Sequence, residues 1–477
     1  MSPTPLERLS RAGLAAVRAA QRAWSYDAAE PSPLRRHAPP ILRHEDAELT
    51  PDRRRQLLAE SRDLQRNYSL AGWMLRRHLD YVATFAFQAK TDSPQLNTRI
   101  ERLWNQWAED PEACNAAGKI ALPDLIRLAE AHRTIDGDVG IVFLTDGRLQ
   151  AIESDRIRTP PGGIPPNQTG LAIWSHGVAT DSAGKPLAYA ICKRSTPNDR
   201  APGAQGWTFD RIVDAQDLHL HAYFWRFDST RGISPFAAAL TDLRDLADAK
   251  AYSLAKMKIG QLFGLALYRN SSDPLAPATT DDGDALAVDF SRGPYQLDLD
   301  AGDKAEILES KSPAGEFQSW FSAVTASALK ALDIPFSFHS ENFTNFSGAR
   351  QAWIQYDLSA SQKRRATLAL LHRITQWKLE QWITAGALPP LDLTARPWRW
   401  IPNGVPWIDP LREVQADTLA LQAQLTSRTR ILAAQGQDWS EIVTELARER
   451  DELTAAGLSA QIGYQTPTDT TTTDAAQ

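Results

Sequence analysis

A chain of 477 residues, 43% of them hydrophobic, has enough apolar side chains for a large buried core and for roughly two to four domain-sized pieces. Its 52 basic and 58 acidic residues leave a formal charge of −6, which argues against a protein that grips nucleic acid over a broad basic surface. The two cysteines, Cys114 and Cys192, lie far apart and in no metal-ligand spacing, so neither a disulfide framework nor a zinc site is indicated and the compartment reads as reducing.

No apolar run reaches the length needed to cross a bilayer. Residues 1–30 include LERLSRAGLAAVRAAQRAW, which imitates an organellar transit peptide but reads better as a surface helix with a basic face. Glu30 to Pro40 is a Pro-rich linker. A helical stretch runs from Asp52 to about Ala83, and Leu96 to Trp107 is helical with Trp104 and Trp107 on one face. A helix from about Pro123 to Thr134 then leads into IDGDVGIVFL.

There the period changes. VGIVFL reads as an apolar strand, Asp146-Gly147 as a hairpin turn and RLQAIESDRI as the returning strand. LAIWSHGVAT, PLAYAICK and DLHLHAYFWRF follow as strands, so residues 137–228 are mostly β. Helix returns at Ser234, an N-cap followed by Pro235, and runs to about Gly260. Phe236, Leu240, Leu243, Ala247, Ala251 and Leu254 are spaced for one buried face of it. Residues 262–315 are β-like and loop-rich, an insertion between this helix and one that resumes near Glu316.

Pro335 ends that helix, and PFSFHSENFTNF reads as a loop with four Phe. From Ser347 to about Ala385 stretches the longest helix, about 39 residues and roughly 58 Å. Gly386 and Pro389-Pro390 close it, Pro397 to Trp407 is Trp-rich and strand-like, and two shorter helices fill about 411 to 456. The last residues, TPTDTTTTDAAQ, have the composition of a disordered tail. The fold class is α+β. Fifteen Trp point to a subunit with extensive contacts.

Catalytic signatures are missing. Gly184-Lys185 is followed by Pro186, and Ala179 stands where a phosphate loop needs its first glycine. There is no GxSxG elbow, HExxH helix or EF-hand loop. His219 and His221 alternate on a strand and so share a face, but no third metal ligand stands beside them and a half-buried strand explains both. Asp136-Gly137-Asp138 reads as a turn. Lys363, Arg364 and Arg365, like Lys250, Lys256 and Lys258 with the nearby Asp242, Asp245 and Asp248, read as solvated helix faces. No cofactor and no metal is expected.

Several stretches carry a resemblance: YDAAE at Tyr26, SRDLQRN at Ser61, IDGDVGI, ESDRI at Glu153 and RGISPFAAALTDLRDLADA at Arg231. LDIPFSF at Leu332, NFTNFSGARQA at Asn342 and Trp407-Ile408-Asp409-Pro410 continue it. In this order they resemble the lambda-type portal proteins of tailed phages, over nearly the whole chain. One departure is YVATFAFQAK, where the family often has a glycine-bearing VGxG turn.

The resemblance implies a portal fold, α+β, with long stem and wing helices, β-rich wing and clip regions and a helical C-terminal crown. It would divide the chain into an N-terminal helix and linker (1–50), a wing (51–233), stem helices (234–261 and 316–333) around a clip (262–315), a tunnel loop (334–346), a long wing helix with the Trp-rich strand (347–410), a crown (411–465) and a tail (466–477). It also implies a homo-oligomeric ring, usually of twelve subunits, at the portal vertex of a virion assembled in the bacterial cytoplasm. Its partners would be the terminase large subunit, which supplies ATP hydrolysis, the major capsid and scaffolding proteins, head–tail connector proteins and double-stranded DNA in transit. No membrane is involved.

In the tunnel loop, Phe336, Phe338, Phe343 and Phe346 would anchor the bridge and leave His339, Ser340, Glu341, Asn342 and Asn345 at its tip. Such groups offer hydrogen bonds to phosphates without the grip of a Lys/Arg cluster, so His339, Ser340, Asn342 and Asn345 are the expected DNA contacts. A metal-dependent hydrolase built on His219 and His221, and an interaction scaffold without DNA passage, are the rival readings.

Overall fold

The computed structural model describes residues 42–164, 173–194, 206–260, 264–268, 304–308, 315–341, 346–404 and 410–457. Contacts divide the chain into a segment ending at Leu49 and a body beginning at Thr50. In the first, the described part is one short helix, Glu45–Glu48, whose N-terminal amide at Asp46 is capped by the His44 ring. The expected helix over 1–30, the YDAAE stretch, Asn342, Asn345, the 407–409 stretch and the tail lie outside the described residues.

The body opens with α1 (Pro51–Asn67), for which Thr50 Oγ1 accepts the Arg53 amide and Pro51 supplies a first residue that needs no amide partner. α2 (Ser69–Val82) follows after Tyr68. The stretch that departs from the family pattern is strand β1 (Phe85–Ala89), paired antiparallel with β11 (Trp398–Pro402) from Phe85↔Pro402 to Ala89↔Trp398. Beside it lie α3 (Pro94–Glu109) and α4 (Leu122–Asp136).

β2 (Asp138–Phe143) is buried at all six positions, which is why the residues after Asp138 form a continuous apolar run and do not alternate. It is the middle strand of an antiparallel sheet with β3 (Leu149–Glu153) and β8 (Leu218–Ala222). Four more strands, β4 (Ile173–Ser175), β5 (Val178–Thr180), β6 (Pro186–Arg194) and β7 (Trp207–Asp214), form a second antiparallel sheet in chain order. Val142, Ile152, Val178, Tyr189, Ile191 and Leu218 form the core that both sheets share.

Ser234 Oγ caps a single 3₁₀ turn, Pro235–Ala238, before α5 (Leu240–Gly260) begins. The expected buried face holds only at its start. Phe236 and Leu243 are buried and Leu240 and Ala247 half-buried, whereas Ala251 is exposed and Leu254 is 48% exposed. Its packing partner is α6 (Gly315–Leu329), and between them β9 (Gly264–Tyr268) and β10 (Lys304–Leu308) form an antiparallel ladder at the mouth of the insertion.

Pro335 does not lead into a loop, as expected, but stands as N-cap of a short helix, α7 (Phe336–Ser340). Proline's fixed φ suits a helix start as well as a helix end. Left-handed backbone at Asp333 (φ 58°) and Glu341 (φ 53°) turns the chain before and after it.

The long helix α8 (Phe346–Thr384) has 39 residues, about 58 Å at 1.5 Å each. Tyr356 enters the core that holds Met74, Leu243 and Leu329, while Leu370, Leu371, Ile374 and Leu379 enter a second core rich in Trp. There the Phe87 and Trp104 rings stack at 4.5 Å, and Trp104 meets Trp107 and Trp400 at 5.2 and 5.5 Å. Much of the Trp content therefore serves the subunit's own interior. Lys378 Nζ lies 4.8 Å from the Trp107 ring and donates to the Gly147 carbonyl at 2.9 Å, and burial pulls its pKa down to about 8.

After β11 come three helices, one more than expected: α9 (Pro410–Gln422), α10 (Arg428–Ala434) and α11 (Trp439–Ala455). Left-handed Gln424 (φ 59°) breaks the run, and Ser427 recaps it.

Candidate functional site

Three of the stretches that carry the family resemblance, IDGDVGI, ESDRI and RGISPFAAALTDLRDLADA, meet at one place. Asp138, the first residue of β2, is fully buried. Its Oδ1 accepts Arg231 Nη2 at 2.6 Å and its Oδ2 accepts Arg231 Nε at 2.8 Å, a bidentate pair. Arg54 Nη2 on α1 donates to the same carboxylate at 3.2 Å, Ser154 Oγ at 2.6 Å and the Gly232 amide at 2.9 Å. Arg231, itself 1% exposed, also donates to the Ser154 and His176 carbonyls at 2.9 and 3.0 Å and to the Ile157 carbonyl. Burial alone would raise the Asp138 pKa, but the Arg231 and Arg54 charges outweigh it and hold the carboxyl below the usual range. Burial, with repulsion from Arg231, pulls Arg54 down to about 10.

Next to this junction, Asp136 accepts Arg62 Nε and Nη2 at 2.8 and 2.6 Å and also contacts His132 Nδ1 at 2.9 Å. Gly137, at φ 93°, packs backbone to backbone on Gly232. A Cβ on Gly137 would stand 2.5 Å from the Gly232 oxygen, and one on Gly232 only 2.0 Å from the Gly137 oxygen. The turn reading of Asp136-Gly137-Asp138 thus explains the glycine alone. The aspartates on either side of it fasten α1 and the 231–234 segment to the end of α4.

A third buried carboxylate, Glu130, stands six residues before Asp136 on α4. Glu130 Oε1 meets His78 Nε2 at 2.9 Å and its Oε2 meets His221 Nε2 at 2.8 Å. Arg133 Nη1 donates to both oxygens at 3.0 Å and Thr367 Oγ1 to Oε2 at 3.2 Å. Burial opposes ionisation, but Arg133 and the two histidine bonds hold the Glu130 pKa well below its ordinary value. Burial lowers both His78 and His221, so each is neutral and gives one N–H to the carboxylate. Four elements, α2, α4, β8 and α8, are joined at this one side chain.

His219 and His221 do share a face, with ring centroids 6.2 Å apart. His221 is spent on Glu130, however, and burial pulls His219 down to about 3. Among the described residues no group of three or more His, Cys, Asp or Glu is arranged to hold a metal ion.

The solvated-face reading fails for two of the three basic residues in the long helix. Lys363 reaches Asp333 at 2.9 Å and the Leu332 carbonyl at 2.6 Å, and Arg364 reaches the Tyr81 carbonyl and Asp357 at 2.6 and 2.8 Å. Arg365 is exposed, as are Lys250, Lys256 and Lys258. The 334–341 segment is therefore tied to α8 at its root, where Ser359 Oγ also donates to Asp333 at 2.7 Å. Phe338 packs on Tyr356 and Tyr81, with ring centroids 5.6 and 6.4 Å away. His339 is exposed, 5.7 Å edge-on from Trp73, and Ser340 is half-buried at the end of α7.

An α+β fold built on long helices, with its buried charges consumed in fastening element to element, defines a structural subunit. The chain belongs to the lambda family of phage portal proteins, whose family model matches residues 32–364. That family is structural and not enzymatic. Residues of this chain are 23% identical over 390 positions to a probable portal protein of Halomonas phage phiHAP-1, covering 76% of this chain and 72% of that one. They are 22% identical over 459 positions to the portal protein of Escherichia phage N15 (84% and 85% covered) and 20% identical over 454 to portal protein B of Escherichia phage lambda (84% of each). Among solved structures, a chain of the virion of a native gene transfer agent particle matches the fold with a TM-score of 0.51 at 14% identity, over 80% of this chain and 93% of that one. No described helix is long and apolar enough to cross a membrane.

Proposed function

We propose that the chain closes into a ring, of twelve copies as is usual in the family, at the capsid vertex of a tailed particle. This ring is the conduit for DNA packaging and ejection and the docking site for the terminase large subunit and the head–tail connector proteins. The regions expected from the resemblance carry over as its parts: wing, stem, clip, tunnel loop and crown.

One observation carries the ring. None of α9, α10 or α11 has a single buried residue, although all three carry apolar side chains. Leu411, Leu419 and Leu425 are 69%, 64% and 78% exposed, and from Leu254 to Lys258 every residue of α5 is exposed, so no face of that helix turn is covered. Fully covering a Leu is worth about 1.5–3 kcal/mol, a driving force that neighbours in a ring would collect. The tip residues His339 and Ser340 would touch passing DNA without the counterion-releasing grip of a Lys/Arg cluster, as would Asn342 and Asn345, which follow them in sequence.

Light scattering of the purified chain is expected to give a single species many times the 52.8 kDa subunit mass. In DNA-filled particles, a crosslinker on Cys placed at His339 is expected to capture DNA more often than one placed at Asp146. A stable monomer at micromolar concentration contradicts the ring, and equal capture at both positions contradicts the tip as the contact.

A further inference from the structure

We propose that the aromatic ledge Phe224–Trp225–Phe227, with the cleft behind it, is a contact between subunits, filled by a second copy of this chain. The inference rests on the ring reading and names one of the surfaces that would build it.

Phe224 and Trp225 are 54% and 63% exposed and Phe227 is fully exposed, three large aromatics within four residues on a segment otherwise firmly held. The Tyr223 amide donates to the Gly137 carbonyl at 2.9 Å, and the Ile233 amide to the Tyr223 carbonyl at 3.0 Å. Trp225 Nε1 donates to the Ile233 carbonyl at 2.9 Å, and its ring stacks on Tyr223 at 6.1 Å. The Arg133 guanidinium covers the Tyr223 ring at 3.6 Å. The ledge is thus fixed to the Asp138–Arg231 junction, and a surface rigid before binding loses little entropy on docking.

Behind it opens a cleft of about 610 Å³, lined among others by Val178, Pro186, Tyr189, His219 and Leu220. Its two cations already have partners: Arg373 donates to the Ala215 and Gln216 carbonyls at 2.7 Å each, and Arg226 pairs with Asp228 at 3.1 Å. That disfavours a phosphate or nucleic-acid ligand. Aromatics with Arg are the composition of protein interface centres.

Area argues for a second copy. Aromatic side chains bury about 150–250 Å² each when fully covered, so the exposed parts of these three supply on the order of half of the ~800 Å² that one partner gives to a stable interface. A ring joins two different faces of each subunit, and a protruding ledge beside an open cleft is one half of such a head-to-tail contact.

Phe227 is fully exposed and makes no packing contact with the core among the described residues, so Phe227→Ala is expected to leave the circular dichroism of dilute protein unchanged while raising the concentration for half-assembly about 30-fold. In parallel, photoreactive benzoylphenylalanine in place of Phe227 is expected to crosslink two copies in assembled rings. Rings that form at the wild-type concentration and crosslink to no second copy, or to DNA, overturn the ledge as a subunit contact while leaving the ring intact. A wild-type chain that never assembles overturns both, and scattering without irradiation tells the two failures apart.

Discussion

Replacing Asp138 with Ala will cost the body about 3–5 kcal/mol of stability, because the guanidiniums of Arg54 and Arg231 stay buried with no anion to meet them. Both arginines are at least nine-tenths buried, so water cannot take the place of the carboxylate. The loss appears as a lower denaturation midpoint by urea, followed by Trp fluorescence. Asp146→Ala, which removes an exposed pair with Arg148, leaves the midpoint where it was. Equal midpoints for the two variants would show that the junction does not hold the fold.

Acid is expected to loosen the molecule well before the carboxylates titrate. His219 stays neutral down to about 3, whereas an unfolded histidine takes up a proton below about 6.5. A group whose folded pKa is depressed favours the unfolded state as soon as the pH falls below the unfolded value. His219 therefore removes about 2 kcal/mol between pH 6.5 and pH 5, and His78 and His221, lowered by burial, act in the same direction. Glu130, held below its ordinary value, adds its own loss only below about pH 4.5. Urea midpoints measured from pH 7.5 to 5 should fall steadily below 6.5, and His219→Phe should flatten part of the slope. A midpoint constant over that range would contradict histidines held neutral by the fold.

The order of elements was legible because it rests on local signals. Ser234-Pro235 announced the start before α5, Asp146-Gly147 the hairpin, and the proline-free run after Ser347 the 39-residue helix, found at Phe346–Thr384. The ionic junction was not legible, though all its residues except Arg54 lay in stretches that carried the resemblance. Arg54, Ser154 and Arg231 are 77 to 177 positions apart in pairs with one another, and no periodicity relates a charge on one element to its partner on another. The sign that could have revealed it was the glycine pair: Gly137 and Gly232 each stand beside a charged residue, and two backbones that need glycine to touch bring Asp138 and Arg231 together. The partner of His221 was hidden for the same reason, since Glu130 lies 91 positions earlier. The bare faces of α5 and α9–α11 have a different origin. Their apolar side chains stand exposed among the described residues.

An electron-microscope image of the purified chain in negative stain tests that account most directly. Closed rings of about twelve copies around an open axial channel are the predicted result. A uniform field of single subunits, or of closed assemblies with no axial opening, would contradict it.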